Sequence, residues 1–219
     1  MVRMARRVAA DDLMPTDPGY GGAELHTQVQ FADWTPRNLA SHDENIEVYS
    51  NCDEVELFLN DKSLGVKKIN ADASPRVWKV SFAPGTLKAV ARNKGRKVAT
   101  DEIRTAGKPA KILLTTDRKK LPPGWDDVAF ITATVVDAKG VIVPNASDLI
   151  AFKIAGPGTI ATVDSADNAS HESFQSNERR AYAGRCVAAL KATATKGRII
   201  LTATASGLVD ATATLAATR

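Results

Sequence analysis

The sequence predicts an all-β protein made of two tandem immunoglobulin-like β-sandwich domains. Apolar and polar residues alternate through most of the chain, and no window carries a helical apolar stripe for more than about two turns. Turn-forming Gly, Pro, Asn and Asp residues recur at short intervals between these alternating runs. Because a sandwich commonly closes with about 100 residues, a chain of 219 residues with 44% hydrophobic content fits two domains better than one.

The first half contains eight strand regions by this alternation. They are residues 2–8, 25–34, 46–50, 55–60, 64–68, 77–82, 87–92 and 98–103. In the fourth region Val55, Leu57 and Leu59 share one face under the two-residue period of a strand, which leaves two glutamates on the other face. This pattern predicts a half-buried sheet with Leu57 in the core. Residues 11–22 are rich in Pro and Gly and are predicted to form a loop.

The strand pattern breaks at residues 105–109, which end in a proline that cannot donate to a continuing ladder. We therefore place the domains at 1–107 and 108–219. The strand regions of the second domain are 111–116, 128–137, 141–143, 149–155, 158–163, 185–194, 198–205 and 211–216. This spacing is typical of an immunoglobulin-like sandwich. We expect Ile200 in its core, so that truncating Leu57 or Ile200 to Ala should each cost about 2 to 5 kcal/mol.

The charge distribution argues against nucleic-acid and membrane partners. Lys and Arg number 29 against 25 Asp and Glu, and they are spread along the chain rather than clustered as a nucleic-acid surface requires. No apolar run approaches the length of a transmembrane segment. The basic residues 1–7 are followed by Asp11 and Asp12 before any apolar core of signal-peptide length, so no signal peptide is expected in this chain.

The two cysteines, Cys52 and Cys186, fall in different predicted domains, which excludes a disulfide framework and a thiolate metal cluster. Both occupy strand-like positions typical of small core residues. A catalytic role for Cys186 would need a neighbouring histidine, and in that half only His171 is available.

Several segments, taken in their order and spacing, resemble the β-sandwich region that follows the catalytic barrel in bacterial β-galactosidases of glycoside hydrolase family 2. They are residues 47–65, Trp78 with 81–91, 99–110, 170–174 and 178–186. The hairpin at 135–144 is similar to that of bacterial immunoglobulin-like repeats. Residues 11–40 match the family pattern poorly, and at 164–168 the chain has Asp-Ser-Ala-Asp-Asn where the family tends toward Asn-Gly-Asp-Pro.

The resemblance implies that the chain supports catalysis without performing it. A retaining glycosidase needs two carboxyl groups about 5 Å apart, and in this family those glutamates come from the barrel. A strand-helix barrel needs roughly 200 residues or more, and this sequence predicts no helices. We therefore expect no catalytic residues, no cofactor and no metal ligands here. The implied partner is an upstream barrel of the same polypeptide in a periplasmic or extracellular parent, whose pocket rim or oligomer interface these domains would support.

The long polar segment 164–185 is the main candidate for a role beyond packing, because it exceeds ordinary connections in length. Its candidate contact residues are His171, Glu172, Glu178, Arg179, Arg180 and Tyr182. Three interpretations are open: an internally salt-bridged loop covering one end of the sandwich, a surface that docks on the preceding domain or barrel, and a direct sugar contact. The acids lack the spacing of an EF-hand, so they are predicted to be turn residues rather than metal ligands.

Aromatic residues bear on the alternative that the chain is an autonomous carbohydrate-binding module. Trp78 alternates with valines inside a strand and is predicted to be core, whereas Trp34 and Trp125 lie beside prolines in loops and are the candidate sugar platforms. No second aromatic lies at strand spacing from either of them. A third alternative is a structural immunoglobulin-like stalk or adhesin segment, which would predict further sandwich repeats upstream.

Overall fold

In the computed structural model, residues 1–8 and 29–218 are described, and within these ranges the chain forms seventeen strands and no helix. No helix that could cross a membrane is found within the same two ranges. The chain divides into two compact units, Met1–Thr105 and Ala106–Arg219. The loop predicted at 11–22, and the first four residues of the strand predicted at 25–34, lie outside the described residues.

Unit 1 contains two four-stranded antiparallel sheets. Its strands are β1 (Val2–Val8), β2 (Val29–Phe31), β3 (Asp43–Ser50), β4 (Glu54–Leu59), β5 (Lys62–Lys68), β6 (Arg76–Ser81), β7 (Thr86–Asn93) and β8 (Arg96–Arg104). The sheet orders are β2-β1-β3-β6 and β5-β4-β7-β8. The core is formed by apolar residues that alternate along the strands of both sheets. Both Val55 and Leu57 are fully buried as predicted. The predicted face of β4 is therefore confirmed.

The β4–β5 corner is fixed by one side chain. Asn60 and Asp61 both adopt positive φ, which matches a two-residue hairpin turn. The Asn60 side chain accepts a hydrogen bond from the Thr86 backbone N–H at 2.9 Å and donates to the Pro84 carbonyl at 3.1 Å. A Cβ atom at Gly85 would lie 1.8 Å from the Asn60 Oδ1 atom, so only glycine permits this approach.

Arg76, at the start of β6, is almost completely buried and donates to backbone carbonyls from several elements. Its Nε atom reaches the carbonyls of Lys67 and Lys68 at 3.1 and 3.0 Å, and Nη1 reaches that of Ser50 at 3.0 Å. Nη2 donates to the Cys52 carbonyl. One side chain thus joins the end of β5 to the β3–β4 corner, and so links the two sheets of unit 1.

Unit 2 contains a four-stranded and a five-stranded sheet. Its strands are β9 (Lys111–Thr116), β10 (Lys120–Leu121), β11 (Ala129–Val136), β12 (Leu149–Ala155), β13 (Gly158–Asp164), β14 (Glu178–Arg180), β15 (Arg185–Ala192), β16 (Gly197–Thr204) and β17 (Ala211–Ala217). The first sheet has the order β13-β15-β11-β9 and the second β10-β17-β16-β12-β14. We call the outward side of the first sheet, presented by these four strands, the β11 face.

The structure corrects two predictions for unit 2. The strand expected at 141–143 is reduced to a single bridge between Val136 and Ile142. Ile200 is only half-buried, whereas its neighbour Ile199 is fully buried. Adjacent residues of a strand point to opposite faces, so the predicted core position in β16 was wrong by one residue.

Candidate ligand-contact site

The polar segment 164–185 borders both sheets of unit 2. On one side the Phe174 carbonyl accepts a hydrogen bond at 2.9 Å from the N–H of Val163, which lies in β13. On the other side the segment forms β14, which pairs with β12 through Leu149 opposite Arg180. The sequence did not predict β14, because three charged residues in a row lack an apolar alternation.

Arg179 organises this segment from a buried position. Only 1% of its surface is exposed, and its Nη2 atom lies 3.2 Å from the Asp164 Oδ1 atom. Its Nε atom donates to the Ser165 hydroxyl at 3.1 Å, and Nη1 donates to the Glu172 carbonyl at 3.1 Å. The guanidinium carbon also lies 5.1 Å from the centre of the Phe174 ring. A residue expected to lie on a surface loop is therefore the buried centre of that loop.

Glu172 completes the ion pairs of the segment. Its carboxylate lies 3.6 Å from the Arg179 Nε atom and 3.7 Å from the Arg180 Nε atom, and it accepts a hydrogen bond from the Arg180 backbone N–H at 3.1 Å. His171 and Glu178 are exposed, and Tyr182 is half-buried with a backbone bridge to Arg185. The structure thus brings Glu172, Arg179 and Arg180 together in a loop held by internal ion pairs.

A shallow depression of about 200 Å³ lies beside this segment, on the β11 face. Its lining residues are Thr132, Asp164, Ser165, Ala166, Arg185, Cys186 and Val187. Thr132 lies directly opposite Val187 in the β11–β15 pair, and Asp164 lies opposite Val187 in the β13–β15 pair. Lateral register therefore brings together three residues that are far apart in sequence.

Cys186 lies at the base of this depression but is not equipped as a nucleophile. It is buried, and burial raises the pKa of its thiol to about 12. The thiol is therefore protonated at neutral pH, and the thiolate is the reactive form. Within residues 1–8 and 29–218 no group of three or more His, Cys, Asp or Glu side chains could hold a metal ion.

The two candidate sugar platforms have opposite environments. Trp34 is fully buried, donates from Nε1 to the Ala83 carbonyl at 3.0 Å, and packs against Phe82 with ring centres 5.0 Å apart. It therefore cannot serve as an exposed platform. Sequence alone placed this loop residue near the surface, whereas the structure places it in the apolar core. Trp125, in contrast, is 87% exposed, and its carbonyl accepts a hydrogen bond from the Lys191 ammonium.

Sequence reasoning did not single out two further features. Phe130, in β11, is 51% exposed on the same face as Thr132, and the alternation of β11 could have revealed it. In unit 1, His42 places Nδ1 2.8 Å from the Ala40 carbonyl and Nε2 2.9 Å from the Glu44 carboxylate. The hydrogen bond to the Ala40 carbonyl is the largest cause that raises the pKa of His42, and the hydrogen bond to Glu44 is the next. No sequence motif marks this contact.

Two parts of this chain match known family models. Residues 112–214 match the family model described as glycoside hydrolase family 2 C-terminal domain 5, and residues 43–99 match a domain of unknown function, DUF4982. The chain corresponds to the C-terminal domains of glycoside hydrolase family 2 proteins. The domain 5 match contains the Arg179 loop and the depression on the β11 face, and the other match contains Arg76 and the Asn60 turn.

Named relatives agree with this family assignment. Beta-galactosidase BoGH2A of Bacteroides ovatus is 44% identical over 163 residues, which are 74% of this chain and 19% of that protein. A beta-glucuronidase of Formosa agariphila is 35% identical over 117 residues, 50% of this chain and 12% of that protein. A solved family 2 member from Bacteroides cellulosilyticus superposes with a TM-score of 0.87 at 34% identity, covering 99% of this chain and 28% of the other. The chain therefore spans only 12 to 28% of the lengths of these three relatives.

Proposed function

We propose that this chain supplies non-catalytic C-terminal accessory domains to a β-galactosidase-type family 2 glycoside hydrolase. The observation that carries the proposal is the 44% identity to a beta-galactosidase of which the matched residues form only 19%. The proposed partner is a catalytic barrel in the same polypeptide, and the domains would support the barrel, its pocket rim or an oligomer interface. A periplasmic or extracellular location is part of the same proposal.

Three carboxyl groups of the described residues have lowered pKa values, which supports a non-catalytic role for these three. A glycosidase general acid needs a raised pKa. Instead, a hydrogen bond from Lys79 lowers the pKa of Asp43, and one from Ser74 lowers that of Asp72. Burial alone would raise the pKa of Asp137, but hydrogen bonds from the N–H groups of Gly107, Val141 and Lys139 outweigh it and lower the pKa. These three acids are therefore held in their ionised form.

Two further acids at or near the depression, Asp164 and Glu172, form ion pairs. Asp164 and Glu172 both pair with the buried Arg179, which binds them as structural partners. These ion pairs suit the loop to holding a fixed shape.

The proposal is tested by assaying the 219-residue chain with chromogenic β-galactoside and β-glucuronide substrates. We expect no hydrolysis of either substrate above the buffer blank. Release of the chromophore by purified chain would overturn the non-catalytic assignment. Sequencing the coding region upstream provides the second arm: a strand-helix barrel with two glutamates is expected, and an array of sandwich repeats would overturn the accessory role.

A further inference from the structure

The β11 face combines an exposed aromatic ring, an apolar floor and polar groups within three neighbouring rows of residues, the third of which pairs Thr134 with Arg185. In one row Phe130 lies opposite Ala189, and in the next row Thr132 lies opposite Val187. Side chains two residues apart on a strand point to the same face, so the Phe130 ring stands next to the depression. The small side chain of Ala189 beside it leaves half of the Phe130 surface exposed.

Asp164 presents a fixed hydrogen-bond acceptor at this depression. Its Oδ1 atom accepts hydrogen bonds from the Ser165 N–H at 2.6 Å, the Ala166 N–H at 3.2 Å and the Arg179 Nη2 atom at 3.2 Å. Within the described residues no donor reaches Oδ2, and 44% of the side chain is exposed. Three donors on one oxygen hold the carboxylate in place, so the second oxygen can accept from a ligand with little loss of side-chain freedom.

Arg185 supplies donors to the same depression. Its side chain is exposed, and no described residue pairs with its guanidinium, whereas its backbone is fixed by reciprocal hydrogen bonds with Tyr182 at 2.8 and 3.0 Å. The Thr132 hydroxyl has no partner in the described ranges either and can donate or accept. The depression therefore offers an acceptor, a forked donor and a hydroxyl around the apolar side chain of Val187.

We propose that the depression on the β11 face binds a single sugar ring of a glycoside, with Phe130 stacking on a neighbouring ring or aglycone. Vicinal hydroxyls would donate to the Asp164 Oδ2 atom and accept from the Arg185 guanidinium, while C–H groups contact Val187. A neutral polyhydroxylated ligand can hydrogen-bond to both charged groups, whereas an anion attracted by Arg185 is repelled by Asp164, and a cation attracted by Asp164 is repelled by Arg185. A volume of about 200 Å³ accommodates one ring rather than an extended peptide.

The site extends the proposed accessory function, and its binding step does not depend on the barrel. Isothermal titration calorimetry of the 219-residue chain should detect methyl β-galactopyranoside with a Kd in the millimolar range, as is usual for a shallow site that contacts few atoms. Methyl β-glucuronide tests whether a sugar acid is accepted, and inorganic phosphate tests whether any anion suffices. We expect the neutral glycoside to bind at least several-fold more tightly than either anion.

Matched variants locate the binding to this face. R185A and F130A should each weaken methyl β-galactopyranoside binding by about tenfold. The control R198A removes another exposed arginine, which lies on β16 in the opposite sheet, and should leave the Kd unchanged. T132W should fill the depression and abolish binding, whereas T202W, on a half-buried threonine of β16, should not.

Backbone amide shifts recorded in the same titration provide a readout that does not rely on variants. The amides of Thr132, Asp164 and Val187 should shift on addition of glycoside. Absence of binding to all three probes, preference for phosphate, or equal effects of R185A and R198A would overturn the proposal. If the chain neither binds nor hydrolyses a glycoside, the binding site is ruled out, but the proposed accessory function is not.

Discussion

Arg76 in unit 1 and Arg179 in unit 2 are both almost completely buried, with 2% and 1% of their surfaces exposed, but they are compensated in different ways. Arg76 donates only to backbone carbonyls, and within the described residues no carboxylate lies within ion-pair distance of it. Burial accordingly lowers the pKa of Arg76, although a guanidinium stays charged at neutral pH. Arg179 instead contacts two carboxylates, a hydroxyl and a carbonyl.

The difference shows two uses for a buried guanidinium. Arg76 satisfies acceptors that water cannot reach, so its removal leaves buried carbonyls without donors. Arg179 holds acids that are themselves partly exposed, with 44% of the Asp164 side chain and 33% of that of Glu172 open to solvent. Those acids can be hydrated if Arg179 is lost. We therefore expect Arg76 to matter chiefly for the stability of its unit and Arg179 for the shape of a surface loop.

The largest effect is expected for R76M, which keeps an unbranched stem like that of arginine, although a shorter one, and removes every donor. It should lower the unfolding free energy of unit 1 by about 3 to 5 kcal/mol, because up to four carbonyls lose their partner. Urea unfolding followed by tryptophan emission measures this, since the buried Trp34 and Trp78 report on unit 1. The control R92M breaks only a partly exposed pair with Glu56 and should cost about 1 kcal/mol or less. Similar costs for R76M and R92M would contradict the distinction.

A smaller effect is expected for R179M. It should lower the unfolding free energy of unit 2 by about 1 to 3 kcal/mol, because Asp164 and Glu172 become hydrated instead of remaining buried without a partner. Hydrogen exchange of the β12 and β15 amides reports on this unit. I199A provides an apolar reference in the same unit, with an expected cost of about 2 to 5 kcal/mol. A loss larger for R179M than for R76M would reverse the comparison.

The smallest effect concerns pH and unit 1. The raised pKa of His42 means that its contribution to stability is complete below the ordinary value of 6.5 and is lost as the pH rises through the folded value. Only the protonated ring can donate to both Ala40 and Glu44. The unfolding free energy of unit 1 should therefore fall by less than about 1 kcal/mol between pH 6 and pH 8. In H42Q this decline should disappear, and an unchanged decline would assign it to other groups.

Three strands and the burial of two core residues were predicted as the structure has them. Strands β1, β9 and β12 have the bounds that the sequence predicted, and the burial of Leu57 and Trp78 follows from the same two-residue period. Prediction was weaker where both faces of a strand carry similar residues. In β16 the pair Ile199 and Ile200 gives no polar contrast, so the sequence could not decide which isoleucine faces the core.

The site was predicted only in outline. The segment 164–185 was singled out as a long polar connection, but nothing in its composition distinguished the buried Arg179 from the exposed Arg180. Trp34 and Trp125 both lie beside prolines, so both were predicted to be candidate sugar platforms. The structure buries Trp34 and exposes Trp125. Burial of a loop side chain depends on what packs above it, and local sequence does not encode that.

The sequence by itself determined the all-β class and the face of each strand with clear alternation, because these depend on local backbone geometry and on the period of apolar residues. Only the tertiary structure decided that Asp164, Thr132 and Arg185 line one depression and that Arg179 is the buried centre of its loop. The physical reason is lateral register. Pairing of β11 and β13 with β15 places residues that are tens of positions apart within contact distance, and a one-residue slip would turn them to the other face.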